Sequence, residues 1–148
     1  MISVKSPKEK DYSHRTTVQK LGVKPGDRIE VQGDVGPGLR KDVKEASGRG
    51  LVKGGELDGA IVAVDSLEDA EGVFAAYRPR VKDSGYLWLV TRKRGHESYL
   101  NQMLLVPFGK AHGLIDNKTC SIDDQRSGIR FVVPRAKRST SADGNGAG

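Results

Sequence analysis

Two apolar runs constrain this chain more than any other feature. Gly59-Ala60-Ile61-Val62-Ala63-Val64 and Tyr86-Leu87-Trp88-Leu89-Val90 are apolar without alternation. A strand with one wetted face alternates with period two, so each run has the pattern of a strand covered on both faces of a sheet. Between them Leu67, Ala70, Phe74, Tyr77 and Val81 recur at helical spacing. Ser66 and Asp69 supply a capping pair at the start of that helix, and Pro79 ends or kinks it. Two buried strands joined by a helix make a βαβ unit, whose connection is right-handed in nearly all sheets. The first run is the central strand.

The remaining segments extend this unit on both sides. Lys24-Pro25-Gly26-Asp27 is a turn into a short alternating strand over 28–32, broken by Gly33-Asp34-Val35-Gly36-Pro37-Gly38. A helix is predicted over 39–47, closed by Gly48, and Lys82-Asp83-Ser84-Gly85 reads as a turn. Polar residues 91–97 form a loop, and a further helix begins near Ser98, with Pro107 interrupting it and Gly113 terminating it. Strands over 114–121 and 128–133 are linked so briefly, through 123–127, that they pair antiparallel. The expected fold is an α/β three-layer Rossmann-like sandwich, with a mostly parallel sheet and an antiparallel C-terminal strand pair.

At 148 residues the chain suits one domain with one proper core. The division expected is a flexible basic N-terminal arm over 1–16, a single α/β domain over 17–134, and a disordered basic, glycine-rich tail over 135–148. That tail has no apolar residue larger than alanine beyond Pro134, so it cannot bury enough surface to offset its ordering entropy. The net charge of +6 sits mainly at the ends. Lys5, Lys8, Lys10 and Arg15 face Glu9 and Asp11, while Arg135, Lys137 and Arg138 face Asp143, so each tail is +2 and +2 remains for the middle. A folded part so balanced is no nucleic-acid platform, and weak, non-specific association through the tails is the most such a chain offers. Cys120 is the only cysteine, which rules out an intrachain disulfide and fits a reducing, cytoplasmic setting. No stretch has the apolar length of a membrane helix.

Three stretches carry a resemblance. They are Lys20-Leu21-Gly22-Val23-Lys24-Pro25-Gly26, then Gly85-Tyr86-Leu87-Trp88-Leu89-Val90-Thr91 with a basic residue after it, and Gly113-Leu114-Ile115-Asp116-Asn117-Lys118-Thr119-Cys120 with Ser127-Gly128-Ile129-Arg130-Phe131-Val132. Together, over roughly residues 17–133, they resemble the small bacterial proteins of domain of unknown function 3052 (DUF3052). Arg126 stands where relatives typically carry tryptophan just before Ser-Gly. The resemblance implies the fold and no chemistry, since that family has no established activity.

In open α/β sheets ligands favour the loops beyond the carboxyl ends of the parallel strands. That places candidate cofactor-contacting positions at Gly33, Gly36 and Gly38, and candidate ligand-contacting ones at Asp65, Arg92, Lys93, Arg94 and His96. Arginine suits a bidentate grip on phosphate or carboxylate, and a histidine at a strand end could act as a base. The glycine loop also resembles the first motif of S-adenosylmethionine-dependent methyltransferases, as do the Val-Lys-Pro-Gly-Asp-Arg lead-in and the terminal antiparallel strands. Against it, Pro37 removes a backbone amide from the loop, and no acidic residue clearly follows a second strand to hold a ribose. Cys120 has no base beside it, Asp123 and Asp124 read as turn formers, and no Gly-x-x-x-x-Gly-Lys-Ser/Thr loop occurs. No acid–base pair, triad or metal cluster can be assembled. The sequence therefore points to a non-catalytic binding or regulatory module without a cofactor, its partner an anionic small molecule or a protein; a methyltransferase-like enzyme is the alternative.

Overall fold

The computed structural model describes residues 17–134; the arm and tail assigned to 1–16 and 135–148 lie outside the described residues. Five strands form one sheet: β1 (Ile29–Gln32), β2 (Leu57–Ala63), β3 (Val81–Arg92), β4 (Ile115–Ser121) and β5 (Arg126–Val132). Their spatial order is β1-β2-β3-β5-β4. The first three run parallel, and β5 is antiparallel to both β3 and β4. The sheet is thus mostly parallel, with an antiparallel pair from the C-terminal part of the chain.

Helices α1 (Leu39–Ser47), α2 (Leu67–Tyr77) and α3 (Val106–Ala111) cover it, the last preceded by a 3-10 turn, Gln102–Leu105, and residues 17–21 are helical too. Alternate residues of the central strands enter different cores. Val62, Leu87, Leu89, Ile129 and Phe131 pack with Ala70 and Phe74 of α2 and with Leu105. Ile61, Trp88, Val90 and Ile29 pack on the other face with Leu39 and Val43 of α1 and with Leu21. Trp88 is wholly buried, and its indole N–H donates to the Leu21 carbonyl at 2.7 Å, which ties the helical residues 17–21 to the sheet. A large ring with a satisfied polar handle is a typical core anchor.

The crossovers decide where a site can form. Both β1-α1-β2 and β2-α2-β3 step the same way across the sheet, yet α1 and α2 lie on opposite faces. Two right-handed crossovers stepping one way would put both helices on one face. The connection after α1 instead passes round the free edge of β1: Val52 N–H donates to the Ile29 carbonyl at 3.0 Å, and Gly54 N–H to the Glu30 carboxylate at 3.1 Å. Residues Leu51 and Val52 cover that edge without becoming a strand.

Glu30 fastens this wrap. Its carboxylate, buried within β1, accepts from Arg80, from the Tyr77 hydroxyl at 2.6 Å and from Gln32 at 3.2 Å as well as from Gly54. Burial by itself would raise the Glu30 pKa; the donors from Arg80, Tyr77, Gly54 and Gln32 outweigh it and bring the value from 4.5 down to about 2.

Two expectations are corrected. Lys82-Asp83-Ser84-Gly85 is not a turn but part of β3, where the register against β2 shifts between Leu57 and Gly59. A bulge accommodates turn-type residues inside a strand, and Gly85 is required there because a Cβ would stand 2.3 Å from the Asp58 carbonyl oxygen. No helix begins at Ser98: Asn101 caps the 3-10 turn by accepting from Met103 N–H at 3.0 Å. Pro107 then opens α3 rather than interrupting it, in the first turn, where a missing N–H breaks no helical bond.

Candidate functional site

At the carboxyl ends of β1 and β2 the chain parts toward opposite faces, to α1 and α2. Diverging loops leave a crevice between the strand ends, the feature that makes such ends ligand sites in α/β sheets. A cleft of about 130 Å³ lies there, with Gly33 and Asp34 following β1, Ala63 ending β2 and Asp65 following it, Val90 to Arg92 ending β3, and Arg126 opening β5. A more open groove of about 320 Å³ adjoins it and shares Thr91 and Arg92 as a wall.

The charge in the cleft is organised by one carboxylate. Asp34 Oδ1 and Oδ2 accept from Arg126 Nη2 at 2.9 and 3.0 Å, and Oδ2 also accepts from Arg92 Nη2 at 2.8 Å. Arg126 Nη1 donates to Asp123 at 3.0 Å, and its Nε to the Asp34 carbonyl at 3.3 Å. The Arg126 guanidinium, followed by the Gly36 N–H and Arg92, outweighs burial and holds the Asp34 carboxyl below the ordinary carboxylate range. Arg126 is buried, whereas the Asp34 side chain is 63% exposed. Gly36 lets this clamp close: at φ 108° its missing Cβ would stand 2.8 Å from Asp123 Oδ2.

Of the residues singled out from sequence, Gly33, Asp65 and Arg92 line the cleft, and Lys93 and Arg94 line the groove with Arg92. Gly36 packs beneath the Arg126 side chain, and Gly38 is the N-cap of α1. His96 lines neither cavity; its Nδ1 accepts from Ser98 N–H at 2.9 Å within its own turn. The polar loop expected from residue 91 begins later, because Thr91 and Arg92 pair with Ser127 and Arg126 across β3 and β5. Asp34, Arg126, Tyr99 and Met103 were not among the candidates. The partner of Arg126 lies 92 residues away, a separation no local pattern reports.

Other groups that carry chemistry elsewhere are structural here. Burial pushes the Cys120 thiol up, away from the thiolate a nucleophile needs. His112, capping α3, stacks on Phe74 at 5.9 Å and meets Glu71 at 3.0 Å. Asp123 Oδ1 accepts from Gln125 N–H at 2.8 Å, as a turn former does. Among the described residues no helix is long and apolar enough to cross a membrane.

No family model and no curated protein matches the sequence. Solved structures do share the fold. Fibrillarin from Aeropyrum pernix, solved with natively bound S-adenosyl-L-methionine, superposes with a TM-score of 0.51 at 17% identity, over 78% of this chain and 72% of its own. A TehB-like S-adenosylmethionine-dependent methyltransferase from Corynebacterium glutamicum gives 0.51 at 10%, over 80% and 86%. A further S-adenosylmethionine-dependent methyltransferase, from Aquifex aeolicus, gives 0.53 at 13%, over 80% and 88%. These neighbours overturn the expectation of a non-catalytic binding or regulatory module. The expectation rested on a missing acid–base pair, and transfer from a sulfonium, whose leaving group is already activated, depends on alignment more than on such a pair. The methyltransferase-like alternative accords with the fold.

Proposed function

We propose that this protein is a methyltransferase-like enzyme that holds S-adenosylmethionine in the cleft outside the carboxyl ends of β1, β2 and β3. The observation that carries the reading is the divergence of the β1 and β2 loops to opposite faces, which opens a polar crevice of suitable chemistry in a fold shared with methyltransferases. The cleft has groups for both charges of an amino-acid end: Arg92, and Arg126 behind it, for a carboxylate, and Asp65 for an ammonium. The adjoining groove, walled by the same Thr91 and Arg92, leaves a second reactant a place beside the cleft. Such a donor supplies an electrophilic methyl carbon: an acceptor lone pair forms the new bond, the sulfur–carbon pair returns to sulfur as a neutral thioether, and the acceptor's proton leaves to solvent or a base. The work of this chain is to orient the reactants and exclude water, with the Asp34–Arg126 clamp fixing the floor on which they meet. The reading extends to the DUF3052 proteins that the sequence resembles, and the single buried cysteine suits an enzyme of the cytoplasm.

The test is thermal unfolding of the full chain with S-adenosylmethionine or S-adenosylhomocysteine. A ligand at one hundred times its dissociation constant stabilises the fold by about 2.7 kcal/mol. A saturable rise in midpoint that Arg92→Gln weakens is the expected result. No shift with either compound at millimolar concentration overturns the reading.

A further inference from the structure

The groove beside the cleft has a composition of its own. The charged side chains that line it, Arg92, Lys93 and Arg94, are all cations. Arg92 is engaged by Asp34, but Lys93 Nζ donates to the neutral Ser121 hydroxyl at 2.7 Å, and Arg94 lies over the Tyr99 ring, 5.5 Å from its centre. Neither contact neutralises a charge. The opposite character comes from Tyr99, Leu100 and Met103, of which Tyr99 is 39% and Met103 57% exposed. An exposed ring and thioether, next to cations that no carboxylate among the described residues neutralises, are poorly served by water, and both are suited to the faces and edges of a flat apolar body. The groove's volume of about 320 Å³ falls within the range of small-molecule sites.

We propose that this groove binds an anionic small molecule with a flat aromatic body, its carboxylate or phosphate on Lys93 and Arg94 and its ring against Tyr99 and Met103. Because Thr91 and Arg92 wall both cavities, such a ligand is presented to the cleft as the methyl acceptor. The acceptor role, unlike the binding, rests on the function proposed above.

Calorimetric titration of the full chain with naphthoate, naphthyl phosphate and neutral naphthol tests the proposal. Charged hydrogen bonds make the anions bind about tenfold or more tighter than naphthol. Lys93→Gln with Arg94→Gln brings the anions down to the naphthol level, while Lys110→Gln, an exposed cation outside the groove, changes nothing. Whichever anion binds tighter identifies the headgroup. Naphthol binding as tightly as the anions, unchanged affinity in the double variant, or no saturable binding of either anion with or without S-adenosylmethionine overturns the proposal. Inorganic phosphate binding as tightly as naphthyl phosphate overturns the aromatic part. If the anions bind and S-adenosylmethionine does not, the groove stands and its acceptor role falls; if only S-adenosylmethionine binds, the groove proposal falls alone.

Discussion

Glu30 and Asp34 lie four residues apart, one inside β1 and one just beyond it, and both meet arginine, but to different ends. The Glu30 side chain is 6% exposed and surrounded by donors from Arg80, Tyr77, Gln32 and Gly54. The Asp34 side chain is 63% exposed, and its arginines stand at the wall of a cleft. A charge buried among donors cannot change partners without leaving an uncompensated charge behind, so Glu30 is a lock for the segment wrapping the edge of the sheet. A carboxylate facing water can be replaced at its arginine by an incoming anion, which keeps the buried Arg126 paired. The difference teaches that burial, more than pairing, separates a structural ion cluster from one available to a ligand.

The sharpest way to break this comparison is substitution. Removing one partner of a buried pair costs about 3 kcal/mol or more, so Glu30→Ala should lower urea stability at neutral pH by that order. Should Asp34→Ala cost as much, the distinction between lock and exchangeable pair is wrong.

Acid titration sharpens it further. The Glu30 pKa is lowered from 4.5 to about 2, so its stabilisation is complete above pH 4.5 and is lost as the pH falls through about 2. The loss is about 3 kcal/mol over that window, and the urea midpoint should fall accordingly. Glu30→Gln, already without the charge, should show a shallower fall between the same limits. Parallel curves for the two proteins would mean that another carboxylate governs acid unfolding.

The smallest expected effect on stability is that of Asp34→Asn, which should lower the thermal midpoint less than Glu30→Ala does, because Asp123 still pairs with Arg126. It releases Arg92 and Arg126, so naphthoate or naphthyl phosphate should bind more tightly to this variant than to the parent chain. Weaker binding would show that Asp34 orients Arg92 for the ligand rather than competing with it.

The local sequence determined the elements whose signals are local. Ser66 caps α2 by accepting from Asp69 N–H at 3.0 Å, the unalternating run at 59–64 lies in the doubly covered β2 up to Ala63 and that at 86–90 in β3, and Gly48 closes α1. The same logic failed at 82–85, where the residues of a turn serve a bulge instead, because a close approach to the Asp58 carbonyl and a turn select the same small and polar side chains. It also found the cations at 92–94 and the glycine loop, since both sit at strand ends that the apolar runs define. Only the tertiary structure decided which face α1 and α2 cover, hence that a crevice opens between β1 and β2, and that Arg126 reaches Asp34 across 92 residues. Hydrogen-bonding and periodicity signals act over a few residues, whereas the course of a connection round a sheet edge and the meeting of distant charges depend on how the whole chain packs.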